Sequence, residues 1–218
     1  MPTLDKVYDQ ISREFAASRV LAWPELSVVI PYIQDGFKIL DLGCGSGRLL
    51  HTLESSGKKF DYTGVDFSEG LVSQARVQFP QRNFIVDDIT HVDLPAESYD
   101  LICMVASFHH LKTKEEREKL LRDVFRWLRH DGYFFMTNWN LWQAKYLKYY
   151  LKNFWQKKSW RDFYIPWKSG SGSEDKLWRF YHSFGVGELK KLLGQTGFVC
   201  GRHGVYKTKW NIVSLVKE

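Results

Sequence analysis

Short apolar runs alternate with amphipathic stretches along most of this chain. Leu4, Val7, Tyr8, Ile11 and Phe15 fall at helical spacing and predict a helix over 4–20. Trp23-Pro24 breaks it, and a second helix is expected over 25–34. Five strands follow, near 37–42, 61–65, 83–86, 99–105 and 133–138. Between them lie helices over 46–56, from Ser68 as N-cap to Phe79, and over 113–129. In the last of these Glu115, Glu116 and Glu118 come early and Arg126 and Arg129 late, as the helix dipole favours. Asp131-Gly132 is expected to close it. A helix over 186–194 stops at Gly197, and two strands follow near 198–202 and 210–216. Alternating strands and helices predict an α/β fold with a doubly wound, mainly parallel seven-stranded sheet whose final strand is antiparallel. The length, 218 residues, fits one domain over 1–218.

The most informative run is ILDLGCGSG, residues 39–47. The apolar strand stops at Gly43, Gly45 and Gly47, with Cys44 inside the turn and a helix from Ser46. A strand, a glycine turn and a helix N-terminus hold a nucleoside cofactor at the C-terminal edge of a parallel sheet. A dinucleotide fingerprint needs glycine at position 48, where this chain has Arg48. The spacing points instead to S-adenosylmethionine (SAM). Asp66 ends strand two, 19 residues beyond Gly47. It suits the ribose hydroxyls; the alternative is a helix-capping role beside Ser68. Asp41 orients the glycine turn or meets the methionine part. Asp88 and Ile89 follow strand three, where an acid accepts from the adenine amine and an apolar neighbour covers the ring; Asp87 competes for that place. Phe67 joins the cofactor candidates, though Phe67 and Phe84 also read as core.

DLGCGSG, GVDFS, VDDI, YDLICMVASFHHL and LRHDGYFFMT, spread over about 37–138, resemble the successive motifs of class I SAM-dependent methyltransferases. The resemblance implies a Rossmann-like fold and SAM as cofactor. The flanks resemble one branch. VYDQISREFAASRVLAWPEL, SFHHL, TNWNLWQAKY and RFYHSFGVGEL (179–189) are similar to segments of the tRNA wobble-uridine carboxyl methyltransferases. Those enzymes esterify 5-carboxymethyluridine at the first anticodon position and work with a small zinc-containing activator protein. The resemblance implies the tRNA anticodon loop and that activator as partners. Two departures stand out: Ser18 where the family often has threonine, and YKTKW (206–210) where it has D-R-D-N-W.

Charge and aromatics sharpen the substrate side. The net charge is +6 and aromatics make up 16% of the chain. Residues 139–185 form an insertion after strand five that the basic fold does not need. It holds six of the nine tryptophans and nine lysines and arginines against Asp162, Glu174 and Asp175. SGSGS at 169–173 reads as a flexible tip. Such a segment suits single-stranded RNA, with Lys157, Lys158 and Trp160 as a surface group and about half the tryptophans as core. A carboxylate of pKa about 4 is ionised at neutral pH and needs no general base. It needs a cationic seat, for which Arg19 and Arg179 are the candidates, or else they form surface ion pairs. His110, with His109 beside it, is expected at the end of strand four, orienting substrate rather than abstracting a proton. Tyr8 closes over the cofactor or merely occupies a helix face. Tyr181 and His182 are expected to line the nucleobase pocket.

Other classes are weighed by the same residues. No run approaches the ~20 apolar residues of a membrane span. No signal-peptide core precedes the first helix. Cys44, Cys103 and Cys200 show no metal-site or disulfide spacing, so no metal is expected and a reducing cytoplasm is the expected setting. A methyltransferase acting on a small carboxylic acid or phenol would share every cofactor residue. A non-catalytic RNA-binding protein on this fold would not need the intact glycines and Asp66. Arg48 and the lack of a second nucleotide-binding half weigh against a NAD-dependent oxidoreductase.

Overall fold

The computed structural model describes residues 8–9, 11–12, 23–151, 159–167 and 177–218. Its main sheet has seven strands: β1 (Phe37–Leu42), β2 (Phe60–Asp66), β3 (Asn83–Val86), β4 (Tyr99–Val105), β5 (Leu128–Trp139), β8 (Val199–Val205) and β9 (Asn211–Lys217). The spatial order is β3-β2-β1-β4-β5-β9-β8. Only β9 runs against its neighbours, pairing antiparallel with both β5 and β8. The order reverses between β1 and β4, and ligands in such sheets bind outside the strand ends at that point.

Both faces of the sheet are covered, so the central strands are apolar on both sides. Leu40 and Leu42 of β1 and Ile102 and Met104 of β4 enter one core, with α3 (Lys114–Trp127) and α5 (Val186–Gln195). Ile39, Leu101 and Cys103 enter the other, with α1 (Arg48–Glu54), α2 (Glu69–Gln78) and the 3-10 helix Pro24–Tyr32. The predicted helix over 25–34 takes that 3-10 form, with Pro31 inside it. Glu25 at its start is buried and accepts a hydrogen bond from Asn211 of β9. Ser68 caps α2 by accepting from the Leu71 amide, and Thr113 and Glu116 form a capping box on α3.

Two predicted boundaries shift. α3 stops at Trp127, and β5 begins at Leu128. Trp127 and Leu128 are both fully buried, and Arg129 reaches Asp100 of β4 at 2.9 Å, so packing ends the helix before its polar sequence does. Asp131, at φ 67°, sits within β5, and β4–β5 pairing shifts register beside it. The larger surprise lies in 139–185. β6 (Asp162–Pro166) and β7 (Trp178–His182) pair antiparallel as a separate two-stranded sheet. Before them come a 3-10 turn at Ala144–Tyr146 and the short helix α4 (Leu147–Leu151). Phe163, Ile165 and Tyr181 pack with Leu141 in a small core of their own.

No helix among the described residues is long and apolar enough to cross a membrane. No group of three or more metal-ligating side chains occurs among them either.

Candidate active site

A cavity of about 590 Å³ opens at the strand ends where the sheet order reverses. Its floor is the glycine turn. Gly43 has φ 78°, and a Cβ there would fall 2.5 Å from the Ser107 side chain, which itself donates to the Leu42 carbonyl at 2.8 Å. Gly43, Cys44, Gly45, Asp41, Asp66, Phe67, Asp88 and Ile89 all line the cavity. Gly47 does not. It begins α1 at φ 87°, and a Cβ there would meet the Phe79 ring at 2.7 Å, so this glycine serves packing and helix entry.

Asp66 accepts from the Gly45 amide at 2.9 Å and from the Ser68 amide at 3.0 Å. It therefore lies beside the Ser68 cap, as the capping alternative expected, and it also holds the glycine turn and lines the cavity. Asp41 accepts from the Tyr62 hydroxyl at 2.8 Å, and its Oδ1 is buried with no partner. Tyr8 is buried, with its ring edge-on to Phe67 and to His110 at 5.9 Å each. Asp9 beside it accepts from the Ser68 hydroxyl at 2.6 Å, which fastens this helical turn to the start of α2.

The opposite wall comes from β7. Arg179 and Tyr181 stand two residues apart, so they share one face of the strand, and both line the cavity. Phe180 and His182 point the other way. His182 lies in the hairpin's underside, between Asp162 and Glu188 at 3.0 Å each, which corrects its expected place in a nucleobase pocket. His110 sits in the 3-10 turn Phe108–His110 after β4 and bridges both walls. Its Nδ1 donates to the Phe180 carbonyl at 2.7 Å, and its Nε2 faces the Tyr8 hydroxyl at 3.1 Å. Arg19 lies outside the described residues, as do Lys157 and Lys158.

Residues 39–132 match the model of the methyltransferase domain family. A tRNA (carboxymethyluridine(34)-5-O)-methyltransferase from Saccharomyces cerevisiae is 29% identical over 162 residues, 74% of this chain and 55% of that protein. The protein of the same name from Schizosaccharomyces pombe is 24% identical over 226 residues, 96% of this chain and 94% of its own length. Among solved structures, a chain of the complex between the Haloferax volcanii Trm112 methyltransferase activator and a methyltransferase has a TM-score of 0.70 at 16% identity. That match covers 99% of this chain and 97% of the other. The chain carries a methyltransferase-domain match at its centre and has the fold of the class I SAM-dependent methyltransferases. It resembles the tRNA carboxymethyluridine methyltransferases, although the match spans only about half the length of the Saccharomyces relative.

The buried groups of the cavity fit SAM, the cofactor that this fold and domain imply. SAM offers an ammonium and two ribose hydroxyls, all donors. The cavity offers acceptors: the orphaned Oδ1 of Asp41 and the remaining lone pairs of Asp66. Burial pushes the Asp41 carboxyl up to about 7, against the Tyr62 hydrogen bond and with help from Asp66. Burial pushes Asp66 up to about 6, while the Ser68 and Gly45 amides pull it down. The cofactor's ammonium would supply Asp41 with a cation, and its ribose hydroxyls would donate to Asp66.

The β7 side of the cavity has the opposite character. Burial drives His110 down to about 3, partly countered by the Phe180 carbonyl. Burial also holds His109 well below its usual range, and His110 and Arg179 add to that. Its Nδ1 accepts from the Trp139 amide at 3.3 Å, so Nε2 carries its proton. Arg179 is buried among the rings of Trp167, Tyr181 and Tyr8, at 5.0, 5.4 and 6.0 Å. Desolvation disfavours its charge, but neighbouring Tyr181 and Tyr8 outweigh it and raise its pKa. It forms no ion pair with any described carboxylate.

Several lining residues escaped the sequence reading. Arg48 lies over the Trp23 ring at 4.3 Å, and both line the cavity, as do Ser107 and Trp139. Trp139 stacks on Tyr181 at 5.0 Å. The available signals were the Trp23-Pro24 break and the place of Ser107 just after strand four.

Proposed function

We propose that this methyltransferase transfers the methyl group of SAM to the carboxylate of a 5-carboxymethyl group on a wobble uridine of tRNA. The observation that supports this most is the pairing of a buried Arg179 with a cavity wall that has no free base. Each acid and histidine there already accepts a hydrogen bond, and the one orphaned carboxylate oxygen, Oδ1 of Asp41, is assigned to the ammonium of SAM. Asp66 holds two amides, Glu116 holds the Lys112 and Thr113 amides, Asp88 holds Thr90, and Asp41 holds Tyr62. Both His110 nitrogens are committed, and the unprotonated nitrogen of His109 is bonded to Trp139. A neutral acceptor such as a phenol or an amine would arrive with a proton that nothing here is placed to take. A carboxylate arrives ionised and asks only for a cationic fork and alignment.

In this reading SAM supplies an electrophilic methyl on a sulfonium. Asp41 would hold its ammonium and Asp66 its ribose. Arg179 seats the acceptor carboxylate, Tyr8 and His110 hold Arg179 and the wall in register, and Trp139 and Tyr181 flank the nucleobase. Residues 139–185 act as the substrate-recognition insertion of a single domain. The tRNA substrate rests on the names of the Saccharomyces and Schizosaccharomyces relatives and on the flanking motifs. An activator subunit is supported by the likeness to the Haloferax volcanii methyltransferase solved with Trm112. A cytoplasmic setting belongs to the same proposal.

Nucleoside analysis of tRNA from cells lacking the gene tests the proposal. Accumulation of a wobble carboxymethyluridine is expected. An unchanged nucleoside profile would refute it.

A further inference from the structure

Three tryptophans stand exposed among the described residues: Trp142, Trp160 and Trp210, at 43, 54 and 65%. They come from three separate segments, yet the fold gathers them. Trp142 and Trp160 lie 5.2 Å apart, and the Arg161 guanidinium covers Trp160 at 4.6 Å and Trp142 at 5.9 Å. Glu188 fixes Arg161 from behind at 2.7 Å. Trp210 belongs to the turn between β8 and β9. Asn140 and Gln143 tether that turn by donating to the Lys209 carbonyl at 3.0 and 2.9 Å, and the Asn140 amide donates to the Trp210 carbonyl at 2.8 Å. The Lys145 ammonium then sits over Trp210 at 4.5 Å. Lys145, Lys148, Lys207 and Lys209 are all exposed, and none is ion-paired with a described carboxylate.

We infer that this strip is a stacking platform for the single-stranded nucleotides flanking the one held in the cavity. The inference rests on the tRNA reading above and adds the surface that reads the loop. Exposed rings with cations beside them match bases and phosphates together. Protein–protein interfaces are depleted of lysine, which argues against a protein occupant. Position supports it as well. Trp139 lines the cavity, and Trp142 follows three residues later, so their Cα atoms are at most about 11 Å apart. A base on Trp142 is therefore a near neighbour of a nucleotide in the cavity.

The test is binding of an unmodified anticodon stem-loop RNA, compared with a fully paired hairpin of the same length, across a salt series. W142A/W160A and W210A are expected to weaken binding about tenfold or more, while W142F/W160F retains most of it. SAM affinity, measured alongside, is expected to stay unchanged and reports an intact fold. K145A/K209A is expected to flatten the slope of log affinity against log salt by about 1.4, at ~0.7 per charge for a single strand. If the unsubstituted protein binds no RNA, the platform and the tRNA reading fall together. If it binds RNA and the tryptophan variants bind as well as it does, the platform alone is overturned. Loss of binding to a protein partner with RNA affinity unchanged would also overturn it.

Discussion

The Nε2 of His110 lies 3.1 Å from the Tyr8 hydroxyl, and this contact assigns the protons of both residues. The Phe180 carbonyl only accepts, so His110 Nδ1 must carry the hydrogen and Nε2 must accept from Tyr8. The imidazole is thereby a spacer between the first helical turn and β7. Tyr8→Phe removes the donor and leaves Nε2 buried without a partner. A loss of about 1–1.5 kcal/mol, or roughly fivefold to tenfold in kcat/KM for the acceptor, is expected. Initial-rate kinetics check this, and an unchanged kcat/KM would contradict it.

The same geometry sets a pH expectation. His110 stays neutral down to about 3, so its titration lies far below the working range. At saturating SAM, kcat is expected to be flat from about pH 6 to 8. A histidine-like inflection near 6.5 that disappears in His110→Asn would assign it the general-base role excluded here.

Cofactor affinity, by contrast, should follow pH. Asp41 in the free protein titrates near 7, raised by burial, so its carboxyl is largely protonated below that. A cationic ligand favours the ionised form, so affinity rises with pH through about 7 and levels off above it. The SAM Kd is expected to be about 30-fold weaker at pH 5.5 than at pH 8. Titration calorimetry in buffers of different ionisation enthalpy should show proton release near pH 6.5. In Asp41→Asn the dependence should flatten and affinity fall at every pH. The sign for stability is the reverse. This acid favours the free fold below its unfolded pKa of 3.8, and that contribution is lost as pH rises towards 7.

Arg179→Lys separates charge from geometry. The lysine keeps a cation at the wall but loses the planar fork, and Arg179→Gln loses both. With hydrogen bonds to charged groups contributing about 1.5–3 kcal/mol, acceptor KM is expected to rise by roughly 10- to 150-fold in Arg179→Gln and less in the lysine variant. The SAM Kd should barely move. A large loss of SAM affinity would assign Arg179 to the cofactor's own carboxylate.

Much of the scaffold was readable because it depends on local rules. The glycine turn, the Ser68 cap and the two-sided apolar strands each declare themselves within a few residues. β6 and β7 did not. DFYIP and WRFYH are rich in aromatics and show no clean apolar–polar alternation, and only the period-2 split of Arg179 and Tyr181 from Phe180 and His182 marks a strand. Without that register His182 reads as a site residue; with it, His182 belongs to Asp162 and Glu188. Gly47 misled for a related reason, because its partner Phe79 is distant in sequence. Arg48 and Trp23 meet only through the tertiary fold.

Gly47→Ala gives a direct check on that correction. It forces a side chain into φ 87° and against the Phe79 ring. A loss of about 1–3 kcal/mol is expected, with Tm falling about 2–4 °C per kcal/mol for a chain of this size. SAM affinity at low temperature should stay near that of the unsubstituted protein. Thermal melts and a binding isotherm on one preparation decide between a packing glycine and a ligand-contacting one.

Carboxylate methylation is tested most directly by labelled methyl transfer to matched anticodon stem-loops, with and without the proposed activator subunit. One carries 5-carboxymethyluridine at the wobble position, another the carboxamide, a third plain uridine. Label is expected only in the first, in an ester that mild alkali releases. Equal labelling of the carboxamide or plain uridine RNA, or labelling of small acids with none in any RNA, would contradict it.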